Sequence, residues 1–285
     1  MSERARGTGA PASGSGTSPT RGKLTAPRVV EMKRRGELIA VVTAYDYPTA
    51  RLADEAGVDI LLVGDSLGTV VLGHENTLPV TVEDVLHHTK AVARAKPHAL
   101  LVADMPFMSY QVSPEQAVAN AGRFIQDGGA DAVKLEGGER VLPAVRRLVE
   151  IGIPVMGHLG LTPQSVLAFG GYRVQARGEA DQERLMREAQ MLEEAGCFAV
   201  VLEGIPARLG GRVSRALAIP TIGIGAGSAC DGQVLVSHDL LGFFLGKTPK
   251  FVRRYADVAG TVRDAFGRYV DDVKARRFPS EEESY

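Results

Sequence analysis

The chain has 285 residues, enough for one large domain or two small ones, and its 33 Lys and Arg against 34 Asp and Glu give a formal net charge of −1. A nearly neutral chain without a cluster of basic residues and interleaved aromatics is not typical of nucleic-acid-binding proteins. Its apolar runs fall short of the ~18 residues of a membrane-spanning helix, and the N-terminus lacks the apolar core of a secretory signal. These features predict a soluble cytoplasmic protein that binds neither nucleic acid nor membrane.

The first 22 residues are built mainly from Gly, Ser, Thr, Pro, Ala and Arg. Such a segment cannot bury enough apolar surface to offset the entropy lost on ordering, so it is predicted to be a disordered tail. A transit peptide is the alternative, but the stretch lacks an apolar helical face. Residues 23–285 are expected to form a single catalytic domain.

Short runs rich in branched aliphatic residues recur along the rest of the chain, and near-continuous apolar runs are typical of parallel strands covered on both faces. The runs are 39–46, 60–66, 99–106, 132–138, 153–160, 199–205, 219–227 and 232–239. Helical patterns lie between them, at 48–57, 81–96, 113–129, 140–151, 180–196 and 206–217. The pair Gly210-Gly211 weakens the last of these helix predictions.

This alternation predicts an α/β fold, the (β/α)₈ or TIM barrel. An open doubly wound sheet is the alternative, but it would place a glycine-rich phosphate turn after the first strand, where this chain reads TAYDYP. Residues 25–37 are expected to form a helix that closes the barrel floor. Residues 249–277 are expected to form a C-terminal helical extension, either one long amphipathic helix or a pair.

Polar side chains cluster at the carboxyl ends of the predicted strands, which form the active face of such a barrel. They are Asp46, Asp65, Ser66, Asp104, Lys134, Glu136, His158 and Glu203. Any one Asp could instead cap a helix. However, Asp65, Asp104 and Glu136 on three strands would offer the hard oxygen ligands that Mg²⁺ prefers, and their convergence without a cation would be costly.

Three further features have two interpretations each. Lys134 precedes Glu136 by two residues, so both face inward, and the lysine could bind a substrate carboxylate or form a structural ion pair. His158 could contact substrate or be a core histidine bonded to backbone. The glycine-rich run 223–227 could cradle a phosphate or allow close backbone approach.

Together these segments resemble the ketopantoate hydroxymethyltransferase family, in the same order and from about residue 24 to the C-terminus. The resemblance is carried by TAYDYPTARLADEAGVDILLVGDSLG, GHENTLPVT, ADMPFMSY, VKLEGG, GHLGLTPQSV, FGGYRVQAR, IGIGAG, DGQVLVSHDLLG and PKFVRRY. Two departures are visible. Ala176 stands where many relatives are expected to have glycine, and the tail before Lys23 is outside the family pattern.

The resemblance implies a magnesium-dependent transfer of a one-carbon unit from methylene-tetrahydrofolate to 2-oxoisovalerate, which gives ketopantoate on the way to pantothenate and coenzyme A. It implies that Asp65, Asp104 and Glu136 hold the metal, some of them through water. Ser66 and Lys134 would bind the oxo acid, which Asp65 and Asp104 would also contact. Glu203 would be the general base and His158 a residue that orients substrate. A homodecamer is implied as well.

Two other functions remain open. A related magnesium barrel that cleaves or rearranges carbon–carbon or carbon–phosphorus bonds would use the same metal chemistry. Such lyases place a reactive cysteine in a Lys-x-Cys-Gly-His segment, which this sequence lacks. A non-catalytic metabolite-binding barrel would be expected to have lost some of the acidic residues, whereas every one is present.

Overall fold

The computed structural model describes residues 22–285, and its sheet is a closed barrel of parallel strands in chain order. The strands are β1 (Ile39–Thr43), β2 (Ile60–Val63), β3 (Leu100–Asp104), β4 (Ala132–Glu136), β5 (Val155–Gly160), β6 (Ala199–Glu203), β7 (Thr221–Ile224) and β8 (Gly232–Leu235). Strand β1 pairs with β2 on one side and with β8 on the other, which closes the barrel. The predicted TIM barrel is thus confirmed. The disordered tail predicted for residues 1–22 lies outside the described residues, apart from Gly22.

Helices precede, connect and follow the strands, and the connecting helices cover the outside of the barrel. They are α1 (Ala26–Arg34), α2 (Tyr47–Glu55), α3 (Leu67–Val70), α4 (Val82–Ala93), α5 (Pro114–Gln126), α6 (Leu142–Glu150), α7 (Val166–Phe169), α8 (Glu179–Glu194), α9 (Ala207–Ala216), α10 (Ser237–Leu240) and α11 (Val258–Lys274). Each crossover helix predicted from the sequence is present. The predicted strands extend several residues too far at their ends, because the residues that follow several of the strands belong to loops and caps.

Local capping explains where several helices begin. Thr81 and Asp84 form a reciprocal capping box at the start of α4, which satisfies backbone N–H groups that have no partner within the helix. Asp46 accepts a hydrogen bond from the backbone N–H of Thr49 at 2.8 Å and caps α2. This polar residue at the end of the first predicted strand therefore acts as a helix cap.

Gly210, the first glycine of the pair in α9, is required by packing. A Cβ atom on Gly210 would lie 2.3 Å from the carbonyl oxygen of Ala226, in the loop after β7. Only glycine allows the helix to pack this closely against the loop, and the packing outweighs the low helix propensity that weakened the prediction for 206–217.

Alternate residues of each strand face the barrel interior, and the interior changes from apolar to polar along the strands. Its amino-terminal half is one buried apolar cluster, which includes Ile60, Leu62, Leu100, Val102, Ala132, Met156, Ala199, Val201 and Ile222. Continuing the same alternation toward the carboxyl ends, the next interior residues are Asp104, Lys134, Glu136, His158 and Glu203. The strand pattern therefore gathers the predicted polar residues into one layer.

Helix α1 closes the amino-terminal end of the barrel, as predicted for residues 25–37. Its buried side chains, Ala26, Val29 and Met32, belong to the same cluster as the interior strand residues. Lys33 fixes the helix in place, because its Nζ donates to the carbonyl oxygen of Ser214 at 2.7 Å and pairs with Asp231 at 2.9 Å. The floor is thereby covered.

The C-terminal helix is shorter than predicted. Helix α11 begins at Val258, where the Asp257 side chain accepts a hydrogen bond from the N–H of Gly260 at 3.1 Å. The residues before it lie along α10 instead, with the N–H of Tyr255 donating to the carbonyl oxygen of Leu240 at 2.8 Å. No residue of α11 is buried. Across residues 22–285, none of the helices combines the length and the apolar character needed to cross a membrane.

Candidate active site

The structure brings the predicted site residues together at the carboxyl end of the barrel. Asp104 lies opposite Lys134 in the β3–β4 register, and Glu136 lies opposite His158 in the β4–β5 register. Asp65 follows β2, and its backbone N–H donates to Oδ2 of Asp104 at 3.2 Å. These five residues are at most 6% exposed, so their charges interact in a largely water-free environment.

Lys134 forms a buried ion pair at the centre of this group. Its Nζ lies 2.9 Å from Oδ2 of Asp104 and 3.9 Å from Oε1 of Glu136. Burial by itself would lower the pKa of Lys134, but the negative charges of Asp104 and Glu136 outweigh it and raise the pKa. The lysine is therefore positively charged and balances part of the acidic charge around it.

His158 lies between two carboxylates. Its Nδ1 is 3.3 Å from Oε1 of Glu136, and its Nε2 is 3.3 Å from Oε2 of Glu203, although neither contact has good hydrogen-bond geometry. Burial and the nearby Lys134 oppose protonation, but Glu136 and Glu203 raise the pKa of His158 to about 9. Nδ1 also lies 3.2 Å from Nζ of Lys134, a contact in which it can accept a hydrogen bond only when the ring is neutral. His158 thus links the two halves of the acidic cluster.

The pKa values of the carboxyl groups are shifted in different directions. Burial, followed by the charges of Asp104 and Glu136, raises the pKa of Asp65 well above its usual range. Burial also raises the pKa of Asp104, although Lys134 opposes the shift. For Glu136 burial acts in the same upward direction, but interactions with His158 and Lys134 outweigh it and lower the pKa. The positive charge of Lys134 thus compensates the acids unequally and leaves Asp65 the least stabilised as an anion.

Two carboxyl oxygens of the site accept no hydrogen bond, although one of them, Oε1 of Glu136, lies near the charged groups of His158 and Lys134. Oδ1 of Asp104 and Oε1 of Glu136 are buried without a hydrogen bond, an arrangement that costs free energy unless a further group binds there. Among the described residues, no group of three or more His, Cys, Asp or Glu side chains already converges closely enough to hold an ion alone. These are hard oxygens of the kind that Mg²⁺ prefers, and a bound Mg²⁺ would need water or substrate oxygens to complete its coordination.

Ser66 lies at the start of α3, at the edge of the acidic cluster. Its Oγ is 2.8 Å from the hydroxyl of Tyr45, a buried residue in the loop after β1. Burial raises the pKa of Tyr45, so its phenol keeps its proton and the two hydroxyls share a hydrogen bond. The serine is therefore held in a defined orientation beside Asp65.

Three residues in the loops belong to this site although the sequence analysis assigned them no role. Gln164 contacts Asp65 and Glu136, and Tyr110 contacts Gln164 and the backbone of Glu136. The pKa of Tyr172 is raised by partial burial and by the charges of Asp65, Glu203 and Glu136. All three lie within segments that carry the family resemblance, which was the signal available in the sequence.

Backbone conformation and packing explain two other features of the sequence, the glycine-rich run 223–227 and Ala176. Gly225, in the run 223–227, has φ of +62°, and a Cβ there would lie 2.8 Å from Cδ1 of Phe251. This matches the close-approach interpretation of that run. Ala176 has φ of 51°, in the left-handed region that favours glycine, so there is a conformational reason for the glycine expected at this position.

Comparison with known sequences gives matches along nearly the whole chain. A sequence profile of the ketopantoate hydroxymethyltransferases matches residues 23–281. A 3-methyl-2-oxobutanoate hydroxymethyltransferase of Moorella thermoacetica is 58% identical over 265 residues, which cover 93% of this chain and 98% of that protein. Its counterpart in Trichlorobacter lovleyi is 57% identical over 265 residues, covering 93% of this chain and 99% of that protein.

Solved structures with the same barrel are much more distant in sequence. A phosphonopyruvate hydrolase matches with a TM-score of 0.61 at 15% identity, covering 91% of this chain and 93% of that chain. A 2,3-dimethylmalate lyase of the PEP mutase and isocitrate lyase superfamily matches with a TM-score of 0.58 at 16% identity, covering 92% and 89%. At these identities the likeness extends to the fold alone.

Proposed function

Because the chain belongs to the ketopantoate hydroxymethyltransferase family, we propose that it transfers a hydroxymethyl group from methylene-tetrahydrofolate to 2-oxoisovalerate and forms ketopantoate for pantothenate and coenzyme A synthesis. The observation that carries this proposal is the buried group of acids around Lys134, two of which have an oxygen that accepts no hydrogen bond. Such a group suits a divalent cation and an anionic oxo acid together.

We assign the Mg²⁺ site to Asp65, Asp104 and Glu136, with water completing part of the coordination. When bound, Mg²⁺ supplies positive charge at the carboxylate and keto oxygens of the oxo acid, which favours loss of a proton from the neighbouring carbon. The hard oxygens of the three side chains support this choice of metal.

The oxo acid is assigned to the same end of the barrel. Lys134 supplies a fixed positive charge for the substrate carboxylate, and Ser66, oriented by Tyr45, supplies a hydroxyl. Asp65 and Asp104 contact the substrate from the metal side, and His158 helps to orient it. Because these groups are buried and mutually paired before substrate arrives, little reorganisation is needed at the moment of reaction.

Glu203 is the proposed general base. It ends β6, and its side chain is 15% exposed, against 3% for the neighbouring His158. One oxygen of Glu203 lies close to His158, which leaves the other to take the proton from the carbon beside the keto group. That carbon would then bond to the methylene carbon, whose two bonds to folate nitrogens break while water supplies the hydroxyl oxygen, so that tetrahydrofolate leaves.

The residues do not support either alternative function, the lyase or the non-catalytic binding barrel. Cys197 and Cys230 each lie two residues before a strand, β6 and β8, and therefore at the amino-terminal end of the barrel. Burial raises the pKa of Cys197 to about 12, which suppresses the reactive thiolate. A lyase with a reactive cysteine at the active face does not fit this placement, and the complete set of acids argues against a non-catalytic binding barrel.

We also propose that the chain works in the cytoplasm as a homodecamer, as the family resemblance implies. Helix α11 supports self-association, because its side chains Phe266, Tyr269 and Val270 are 67%, 55% and 42% exposed. Covering them with a second copy of the chain would remove this apolar surface from water.

Asp65→Asn should separate stability from function. The pKa of Asp65 is higher in the folded protein than in the unfolded chain, so the folded protein binds this proton more tightly. The free energy of unfolding therefore decreases as pH rises from the unfolded-state pKa to the folded-state pKa. We therefore expect the metal-free variant to melt at a higher temperature than the native protein at neutral pH, while losing Mg²⁺-dependent binding of 2-oxoisovalerate in calorimetry. A native affinity for Mg²⁺ and oxo acid in this variant would remove Asp65 from the proposed site.

A further inference from the structure

Gln164 lies in the short turn Pro163–Ser165 that follows β5, and its side chain is 6% exposed. Its Nε2 donates to Oδ2 of Asp65 at 3.0 Å and to the carbonyl oxygen of Met105 at 2.9 Å. Its Oε1 accepts from the hydroxyl of Tyr110 at 2.8 Å and from Nε2 of Gln111 at 3.1 Å. The amide thus uses its full hydrogen-bonding capacity, and a flipped amide would place Oε1 against two acceptors.

The same residue contacts a second acid of the cluster through its backbone. The N–H of Gln164 donates to Oε2 of Glu136 at 3.0 Å, and Oε1 of that carboxylate accepts no hydrogen bond. Tyr110 strengthens this contact, because its hydroxyl accepts a hydrogen bond from the backbone N–H of Glu136 at 3.1 Å. A single turn after β5 therefore holds carboxylates that come from the ends of β2 and β4.

We propose that Gln164, held by Tyr110, is a positioning residue that sets the orientation of Asp65 and Glu136 toward Mg²⁺. The inference rests on the proposed function, since it takes these carboxylates as the metal ligands. Groups that hold metal ligands by hydrogen bonds keep them in their binding orientation before the ion arrives, and their loss typically weakens metal binding about 10–100-fold.

The chemistry of the side chain favours glutamine at this position. Oδ2 of the buried Asp65 accepts a hydrogen bond here, and an amide supplies the donor without adding charge. A glutamate of the same shape would place another acid against Asp65, and an apolar side chain would leave Oδ2 of Asp65 without this donor.

The test compares Gln164→Met and Tyr110→Phe with a control at the opposite end of the barrel. Gln164→Met keeps the length of the side chain and removes its hydrogen bonds. The control is Ser214→Ala, which removes a buried hydroxyl that donates to Oδ2 of Asp231 at 2.9 Å. The full-length proteins are titrated with Mn²⁺ as the probe metal, without substrate, and free Mn²⁺ is followed by electron paramagnetic resonance alongside thermal unfolding.

We expect Gln164→Met to bind Mn²⁺ about 10–100-fold more weakly than the native protein and Tyr110→Phe to be weakened about 3–10-fold, because the phenylalanine still packs against Gln164. Ser214→Ala should lose thermal stability and keep the native affinity.

Mn²⁺ affinity within twofold of native in Gln164→Met overturns the positioning role and leaves the proposed function standing. If Gln164→Met does not fold, affinity within twofold of native in Tyr110→Phe overturns the role. Failure of the native protein to bind Mn²⁺ overturns the metal site itself and this inference with it.

Discussion

Replacing Glu203 with glutamine should leave 2-oxoisovalerate binding intact and slow the exchange of the proton beside its keto group by about 10²–10⁴-fold, the usual contribution of a general base. The substitution keeps the shape of the side chain and removes its basicity. With Mg²⁺ and oxo acid alone, in deuterated water, the native protein should introduce deuterium at that carbon, because proton removal precedes any contribution from folate. Nuclear magnetic resonance of the oxo acid measures the rate directly.

Glu193→Gln is the matched control. Glu193 lies on α8 outside the barrel, where its carboxylate accepts hydrogen bonds from the backbone N–H groups of Ala218 and Ile219. This variant should exchange the proton at the native rate. Exchange at the native rate in Glu203→Gln as well would transfer the role of base to another group, with His158 the nearest candidate at 3.3 Å.

Lys134→Met should destabilise the metal-free protein by about 3–5 kcal/mol, the usual cost of removing one partner from a buried ion pair. The loss follows because Asp65, Asp104 and Glu136 would remain buried without the ammonium group that lies 2.9 Å from Asp104. For a chain of this size the melting temperature should fall by roughly 10 °C. Thermal unfolding at neutral pH, without metal, measures the effect.

Two further measurements would show that this loss of stability comes from the missing charge. Mg²⁺ should raise the melting temperature of Lys134→Met more than that of the native protein, because the cation replaces missing positive charge. Adding Asp104→Asn to Lys134→Met should recover part of the lost stability, since it removes one uncompensated acid. A double variant no more stable than Lys134→Met alone would show that the lysine acts through packing instead.

The fold could be predicted from the sequence because its signals are local. Branched aliphatic runs define the strands, and Thr81 with Asp84 and Ser113 define where helices begin. The start of α11 was missed because the hydrophobic pattern continues through 249–257, where the N–H of Tyr255 bonds to Leu240 of α10 instead of to a helical neighbour. The need for glycine at position 210 could not be predicted either, because it depends on packing against Ala226 in a different part of the chain.

For the candidate site, the residue pattern predicted only the side-chain directions that follow from strand geometry. Alternation along β4 places Lys134 and Glu136 on one face, which the structure bears out. Alternation does not say that Lys134 pairs with Asp104, because that choice depends on the β3–β4 register. Gln164 and Tyr110 lie in loops, where no periodicity indicates the direction of a side chain, so their contacts with the acids required three-dimensional coordinates.

The transfer of an isotopically labelled carbon tests the central claim most directly. The native protein is incubated with 2-oxoisovalerate, Mg²⁺ and methylene-tetrahydrofolate labelled with ¹³C in its methylene carbon, and the products are analysed by mass spectrometry. A parallel sample contains a chelator in place of Mg²⁺. We predict that ketopantoate appears with the label in its new hydroxymethyl group and that the chelator abolishes its formation. Absence of labelled ketopantoate from the magnesium sample, or its equal formation with the chelator, would contradict the account.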